Sequence, residues 1–129
     1  MNISSLRSLY VKRKAWGLLA SIDLAGCDHN LIQSPQAIRQ FSRQLIKKVK
    51  MEPHGPLRLE KFAEGHLEGY SAVQFIKTSS LTLHFDDKLS DRAFIDLFSC
   101  KFFNPEIVED FSKRFFKARR CRKKVIMRY

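Results

Sequence analysis

Hydrophobic and polar residues alternate most cleanly over residues 80–85. Leu81, Leu83 and Phe85 fall on one side, and Ser80, Thr82 and His84 on the other. A period of two predicts a strand with one face in a core and one facing outward. The apolar run 16–26, closed by Gly26 and Asp28, predicts a mostly buried strand. Residues 57–62, 70–76 and 92–99 predict three further strands, and 123–129 a last one. Between them the period changes twice. Ile38, Phe41, Leu45 and Val49 recur every three or four residues behind Ser34 and Pro35, an N-cap and a first-turn proline, which predicts a helix over 35–49. Asn104, Pro105 and Glu106 open a second helix whose apolar stripe is Ile107, Val108, Phe111 and Phe115.

The predicted order is β-α-β-β-β-β-α-β. Runs of strands with two separated helices favour an α+β fold: a two-layer sandwich in which two helices cover one face of a mainly antiparallel sheet. Residues 1–15, rich in Arg and Lys, predict a basic, loosely ordered N-terminal arm ahead of a single domain over 16–129.

Composition agrees with a packed core. The chain has 129 residues, 44% of them hydrophobic, with eleven phenylalanines, which argues against disorder. No apolar run reaches the roughly 18 residues needed to span a bilayer. The basic start runs into a mixed, Asp-containing strand rather than a secretory leader. Cys27, Cys100 and Cys121 are odd in number and widely spaced, a pattern that suits reduced thiols in the cytoplasm rather than a disulfide framework.

The formal charge of +11 gathers near both ends and at residues 47–50. Such patches attract phosphates and anionic surfaces, so the basic termini leave open a nucleic-acid or anionic-surface partner; they equally suit a solvated surface. Zinc-finger spacing and an RNA-binding aromatic signature are both missing.

From the residue pattern, Ser71, Ser79, His84 and Cys100 are the candidates for chemistry. A serine near a histidine can form a nucleophile and base; serines at strand ends and a surface histidine are just as ordinary. His29, His54 and His66 fall in predicted loops and are expected to face solvent. No GxSxG elbow, phosphate-binding glycine loop or metal-ligand spacing accompanies them.

Three segments carry a resemblance to a known family. IDLAGCD (22–28), EGYSAVQFIKTSSLTLHF (68–85) and AFIDLFSC (93–100) are similar, in order and spacing, to motifs of the small prokaryotic-type S-adenosylmethionine decarboxylase proenzymes. Those motifs are Asp-Leu-aromatic-Gly-Cys-Asp, a Gly-x-Ser strand followed by Glu-Ser-His-x-Ser-x-His, and Val-Asp-Val-Phe-Thr-Cys. The likeness runs over residues 16–116. The chain departs from the family at Thr78, where the pattern has Glu, at Ser80, where it has His, and at 85–88, where Phe-Asp-Asp-Lys replaces Thr-Trp-Pro-Glu.

The resemblance implies a pyruvoyl-dependent lyase of spermidine and polyamine biosynthesis, made as a zymogen. It implies that Ser79 becomes a covalent pyruvoyl cofactor after autocatalytic cleavage between Thr78 and Ser79. The ketone so formed makes a Schiff base with a substrate amine and accepts the electrons released as carbon dioxide departs. Ser71 and His84 match positions that assist processing, and Cys100 matches a cysteine that returns a proton to product. Phe62 falls near an aromatic that stacks on the adenine, and Asp86 or Asp87 would supply negative charge to the sulfonium. The family architecture implies a homodimer with active sites near the subunit interface. Two alternatives stay open: a decarboxylase of another amino acid such as ornithine or arginine, and an unprocessed homologue that binds a ligand or partner subunit.

Overall fold

The computed structural model describes residues 2–129. Its sheet is built outward from β1 (Gly17–Ala25), whose Leu18, Ala20, Ile22 and Leu24 are buried on one face. β1 pairs antiparallel with β5 (Arg92–Ser99) on one side and with β6 (Arg120–Arg128) on the other. Beyond β5 lie β4 (Ser79–Asp86), β3 (Gly69–Ile76) and β2 (Arg58–Phe62). The six strands run in the order β2-β3-β4-β5-β1-β6, and neighbours are antiparallel throughout. The strict alternation of the sequence sends Leu81, Leu83, Ala93, Ile95 and Leu97 to the same buried face as the apolar set of β1.

Three helices cover that face. α2 (Pro35–Lys48) starts where the Ser34 hydroxyl accepts the Ala37 N–H at 3.0 Å, and it buries Ile38, Phe41 and Leu45. α3 (Pro105–Phe115) is capped by Asn104, which accepts the Glu106 N–H, and buries Val108 and Phe111. Phe41 joins the two layers: its ring lies 5.5 Å from Phe111 and 4.7 Å from Phe116, and Phe116 in turn meets Phe85 of the sheet. Truncating such a residue to alanine costs roughly 3–5 kcal/mol.

The third helix is a correction to the sequence reading. Residues 1–15 were expected to be a loosely ordered arm; instead α1 (Ile3–Lys12) is capped by Asn2, whose side chain accepts the Ser5 N–H at 2.8 Å. Leu6 and Tyr10 share one side of it and pack against the core. Arg7 lies over the Phe102 ring at 4.5 Å, and Tyr10 meets the same ring edge-on. The basic residues between these contacts hide the amphipathic spacing. The layer therefore holds three helices rather than two, and the two-layer α+β architecture stands.

The opposite face of the sheet is open. Val73, Phe75 and Ile126 are exposed there, and Trp16 stacks on Phe98. Among the described residues no helix is long and apolar enough to cross a membrane.

Candidate functional site

Strand parity divides the candidate residues into two groups at opposite ends of β4. His84 lies on the open face opposite Ser71 of β3, and the Ser71 hydroxyl meets His84 Nδ1 at 2.8 Å. Both line a cavity of about 290 Å³ whose walls also include Phe62, Asp86, Arg92 and Phe94. Gly69 belongs to this wall for a steric reason: a Cβ there would collide with the Phe85 carbonyl oxygen.

The two aspartates behave differently. Asp86 faces the cavity but accepts both the Nε and an Nη of Arg92 on one oxygen, at 2.9 and 2.6 Å. Burial pushes its carboxyl up, yet hydrogen bonds from Arg92 and from the Leu89 and Lys88 amides outweigh that and hold it below the ordinary value. Asp87 follows the end of β4, is buried with its side chain 4% exposed, and is paired with Lys88 at 2.7 Å. It does not line the cavity.

Ser79 and Cys100 stand at the far end. Five residues at about 3.3 Å each put Ser79 roughly 16 Å from His84, and the odd spacing puts the two side chains on opposite faces. Ser79 instead shares the helix side with Ser99, its register partner on β5. The Ser79 hydroxyl donates to Ser99 Oγ at 2.5 Å and has a long contact of 3.4 Å with the Lys77 carbonyl.

The peptide before Ser79 is conformationally unusual. β3 and β4 are joined by the two residues Lys77 and Thr78, and Thr78 has φ +63°. This left-handed region suits glycine or asparagine in a tight turn and is a true outlier for a β-branched side chain. Such a residue stores of order 1–3 kcal/mol. The surroundings hold it there: the Thr78 carbonyl accepts the Cys100 N–H at 3.2 Å, and the Lys77 N–H reaches the Glu52 carbonyl. Thr78 Oγ1 is turned back to its neighbour's carbonyl, that of Lys77.

Cys100 is fixed from its other side by the helix that the sequence reading missed. The Tyr10 hydroxyl of α1 donates to the Cys100 carbonyl at 3.2 Å and to the Trp16 carbonyl at 3.3 Å. Burial, with Cys100 beside it, pushes the Tyr10 phenol above its ordinary value. The other two thiols are harder to ionise than usual. Cys27 is pushed up to about 12 by burial first, with Asp91 and Cys121 adding to it. Cys121 is pushed up to about 11 by burial and by Glu109.

Of the residues singled out from sequence, the structure brings Ser71, His84, Phe62 and Asp86 around one cavity and sets Ser79 near Cys100 at the other end of β4. Sequence reasoning did not separate these two groups. It also passed over Ser99, Arg92 and Tyr10. Ser99 carried a signal: it is a hydroxyl in the series Ala93, Ile95, Leu97, Ser99, where burial would otherwise favour an apolar side chain. His29 is exposed and pairs with Asp91 at 2.6 Å, and His54 and His66 are exposed, as expected of loop histidines. No group of three or more metal-ligating side chains occurs among the described residues.

The fold matches the crystal structure of the adenosylmethionine decarboxylase from Aquifex aeolicus VF5 with a TM-score of 0.75, at 19% identity, over 88% of this chain and 91% of that one. Among curated proteins, none matches the chain in sequence. The family model described as S-adenosylmethionine decarboxylase matches residues 19–129, nearly the whole sheet and both long helices, and the chain belongs to that family.

Proposed function

We propose that this protein is a pyruvoyl-dependent S-adenosylmethionine decarboxylase proenzyme that cuts its own chain between Thr78 and Ser79 and acts in polyamine synthesis. The observation that carries the reading is the Thr78–Ser79 junction. A strained residue stands immediately before a hydroxyl nucleophile, and the carbonyl to be attacked already accepts the Cys100 N–H. That amide is a donor at the oxygen on which negative charge develops during attack, the place where a fixed dipole helps most. Breaking the link releases the strain at Thr78.

In this reading Ser79 Oγ bonds to the Thr78 carbonyl carbon and the C–N bond opens, giving an ester. A base then removes the Ser79 Cα proton, and the Thr78 carboxylate leaves with Oγ. Water hydrolyses the resulting dehydroalanine, releasing ammonia. The fragments are 1–78 and 79–129. The residues around the junction fit the group so formed: Ser79 is at a chain turn and half-buried, with Cys100 adjacent. The pyruvoyl ketone supplies an electron sink for decarboxylation. In this reading the Cys100 thiol returns a proton to product, and Phe62 offers an exposed ring at the mouth of the His84 cavity.

The second step needs a base at Ser79, and among the described residues the chain's own His84 lies roughly 16 Å away along β4. A homodimer joined through the open sheet face would answer this, with the partner chain bringing its own Ser71–His84 pair to the Ser79 end. The exposed Val73, Phe75 and Ile126 on that face favour such a contact. Asp86 and Asp87 are each engaged by a cation of the same chain, so recognition of a sulfonium would rest on the Phe62 ring and on rearrangement of the Asp86–Arg92 pair.

Intact mass and a denaturing gel of purified protein test the reading. Two fragments, the second with a blocked N-terminus, are expected. A single 15.1 kDa chain with unmodified Ser79 overturns it and leaves an unprocessed binding protein.

A further inference from the structure

We propose that Ser99 is the positioning residue for chain scission: its hydroxyl aims Ser79 Oγ at the Thr78 carbonyl carbon. The inference rests on the self-cleavage reading above and adds a residue to it.

Three observations converge on Ser99. It is fully buried, at 0% exposure, at the end of β5 and directly opposite Ser79 in the sheet register. Its Oγ accepts the Lys101 N–H at 2.9 Å, which fixes the hydroxyl's orientation from the side away from Ser79. Its remaining lone pair takes the Ser79 O–H at 2.5 Å, a short contact for two neutral hydroxyls.

The consequence lies in where the Ser79 hydroxyl can point. A serine has three staggered positions about χ1, and on an unconstrained turn all three are available. Among the described residues the other acceptor that this hydroxyl meets is the Lys77 carbonyl at 3.4 Å, one peptide upstream of the carbonyl under attack. Removing the Ser99 hydroxyl leaves Ser79 to turn toward that acceptor or toward water. With it, the Ser79 proton points at Ser99 and the free lone pairs are turned away from it. The Cys100 N–H holds the Thr78 carbonyl from the same strand end. One dipeptide, Ser99-Cys100, therefore fixes the nucleophile with a side chain and the electrophile with a backbone amide.

The bonds changed are those of the first step only. Ser79 Oγ joins the Thr78 carbon, the Thr78–Ser79 C–N bond breaks, and the hydroxyl proton ends on the freed amine nitrogen. The ester has the same mass as the amide, and hydroxylamine separates them because it cleaves only the ester at neutral pH.

A simpler role for Ser99 is to end the strand by satisfying the Lys101 amide. The pair Ser99→Thr and Ser99→Val shows whether the hydroxyl is needed, because the two side chains have nearly the same shape and differ in it, and Ser99→Ala serves as a variant without added bulk; the thermal midpoint separates the roles, since a hydroxyl that only satisfies the Lys101 amide costs stability without slowing cleavage. Each is followed from synthesis by denaturing gel, with thermal midpoints measured in parallel. Ser99→Thr is expected to cleave like wild type. Ser99→Val and Ser99→Ala are expected to cleave about 100-fold more slowly, the scale of a nucleophile misplaced by about 1 Å, and to accumulate full-length chain that resists hydroxylamine.

Equal rates for Ser, Thr, Val and Ala overturn the proposal, as does slowing by Thr and Val alike with Ala unaffected. Accumulation of a hydroxylamine-sensitive ester overturns it too, since Ser99 would then act after the attack. If wild type itself never cleaves, the self-cleavage reading falls and this inference with it. If wild type cleaves and Ser99 is immaterial, only this inference falls.

Discussion

The two ends of β4 are built on different principles. At the Asp86 end, polar side chains converge on an open cavity: Ser71 with His84, Asp86 with Arg92, and Phe62 at the rim. At the Ser79 end the chain is constrained: a left-handed threonine, a short hydroxyl pair and a backbone amide on the Thr78 carbonyl. The first arrangement suits recognition and proton exchange with a small molecule. The second suits a reaction of the chain with itself, where strain and orientation matter more than room. One strand of eight residues separates the two tasks without bringing their residues into contact.

The strongest challenge to this division is complementation between chains. His84→Ala is expected to lose cleavage by 10²-fold or more, the usual scale for a proton-transfer group. Co-expressed with Ser79→Ala, it should recover: the Ser79→Ala chain supplies His84 and the His84→Ala chain supplies the serine. Cleavage of the His84→Ala chain, read by mass, is the expected result. Failure to rescue in a mixed dimer would mean that the two ends act separately.

Thiol reactivity sharpens which cysteine belongs to the Ser79 end. A thiol moved from 9.0 to about 12 carries roughly 1,000-fold less thiolate near pH 8. Cys27 should therefore resist iodoacetamide in the folded protein, and Cys121, at about 11, nearly as well. Peptide mass mapping after brief labelling checks this. The same shift has a consequence for stability. Protonated Cys27 favours the fold fully below the ordinary thiol value of 9.0, and that contribution is lost as pH rises toward about 12.

Thr78→Gly is expected to act more gently. Glycine adopts positive φ without penalty, so the precursor should gain about 1 kcal/mol while cleavage slows roughly fivefold. Thermal melts and a cleavage time course measure both; an unchanged rate would separate the strain from the mechanism.

The smallest effect belongs to the cavity end. Asp86→Asn weakens the bond to a partly exposed Arg92 and should cost no more than about 1 kcal/mol at neutral pH, with no change in cleavage. Because the Asp86 carboxyl is held below its ordinary 3.8, this contribution is present above that pH and lost as pH falls through the folded value. Urea melts at pH 7 and pH 3 should show the gap between wild type and variant narrowing in acid.

Much of this was legible in the residues. Ser34-Pro35 and Asn104-Pro105 marked two helix starts because capping is local chemistry. The alternation of 80–85 placed His84 outward because a strand has a period of two. That same rule separates Ser79 from His84, five residues apart, onto opposite faces, a consequence hidden when motif positions are read as one site. Helix α1 was obscured because its apolar residues are few and its helix gains most from packing against Phe102 and the core.

By itself, the sequence determined periods, caps and parity, since each depends on neighbours within a few residues, and these were enough for the two-layer α+β architecture. Which hydroxyl faces Ser79, which amide holds the Thr78 carbonyl and which cation neutralises each aspartate were decided only when β5 and the loops closed on β4. Those contacts join residues up to 22 positions apart, Thr78 to Cys100, and depend on strand register, which the whole buried face sets together.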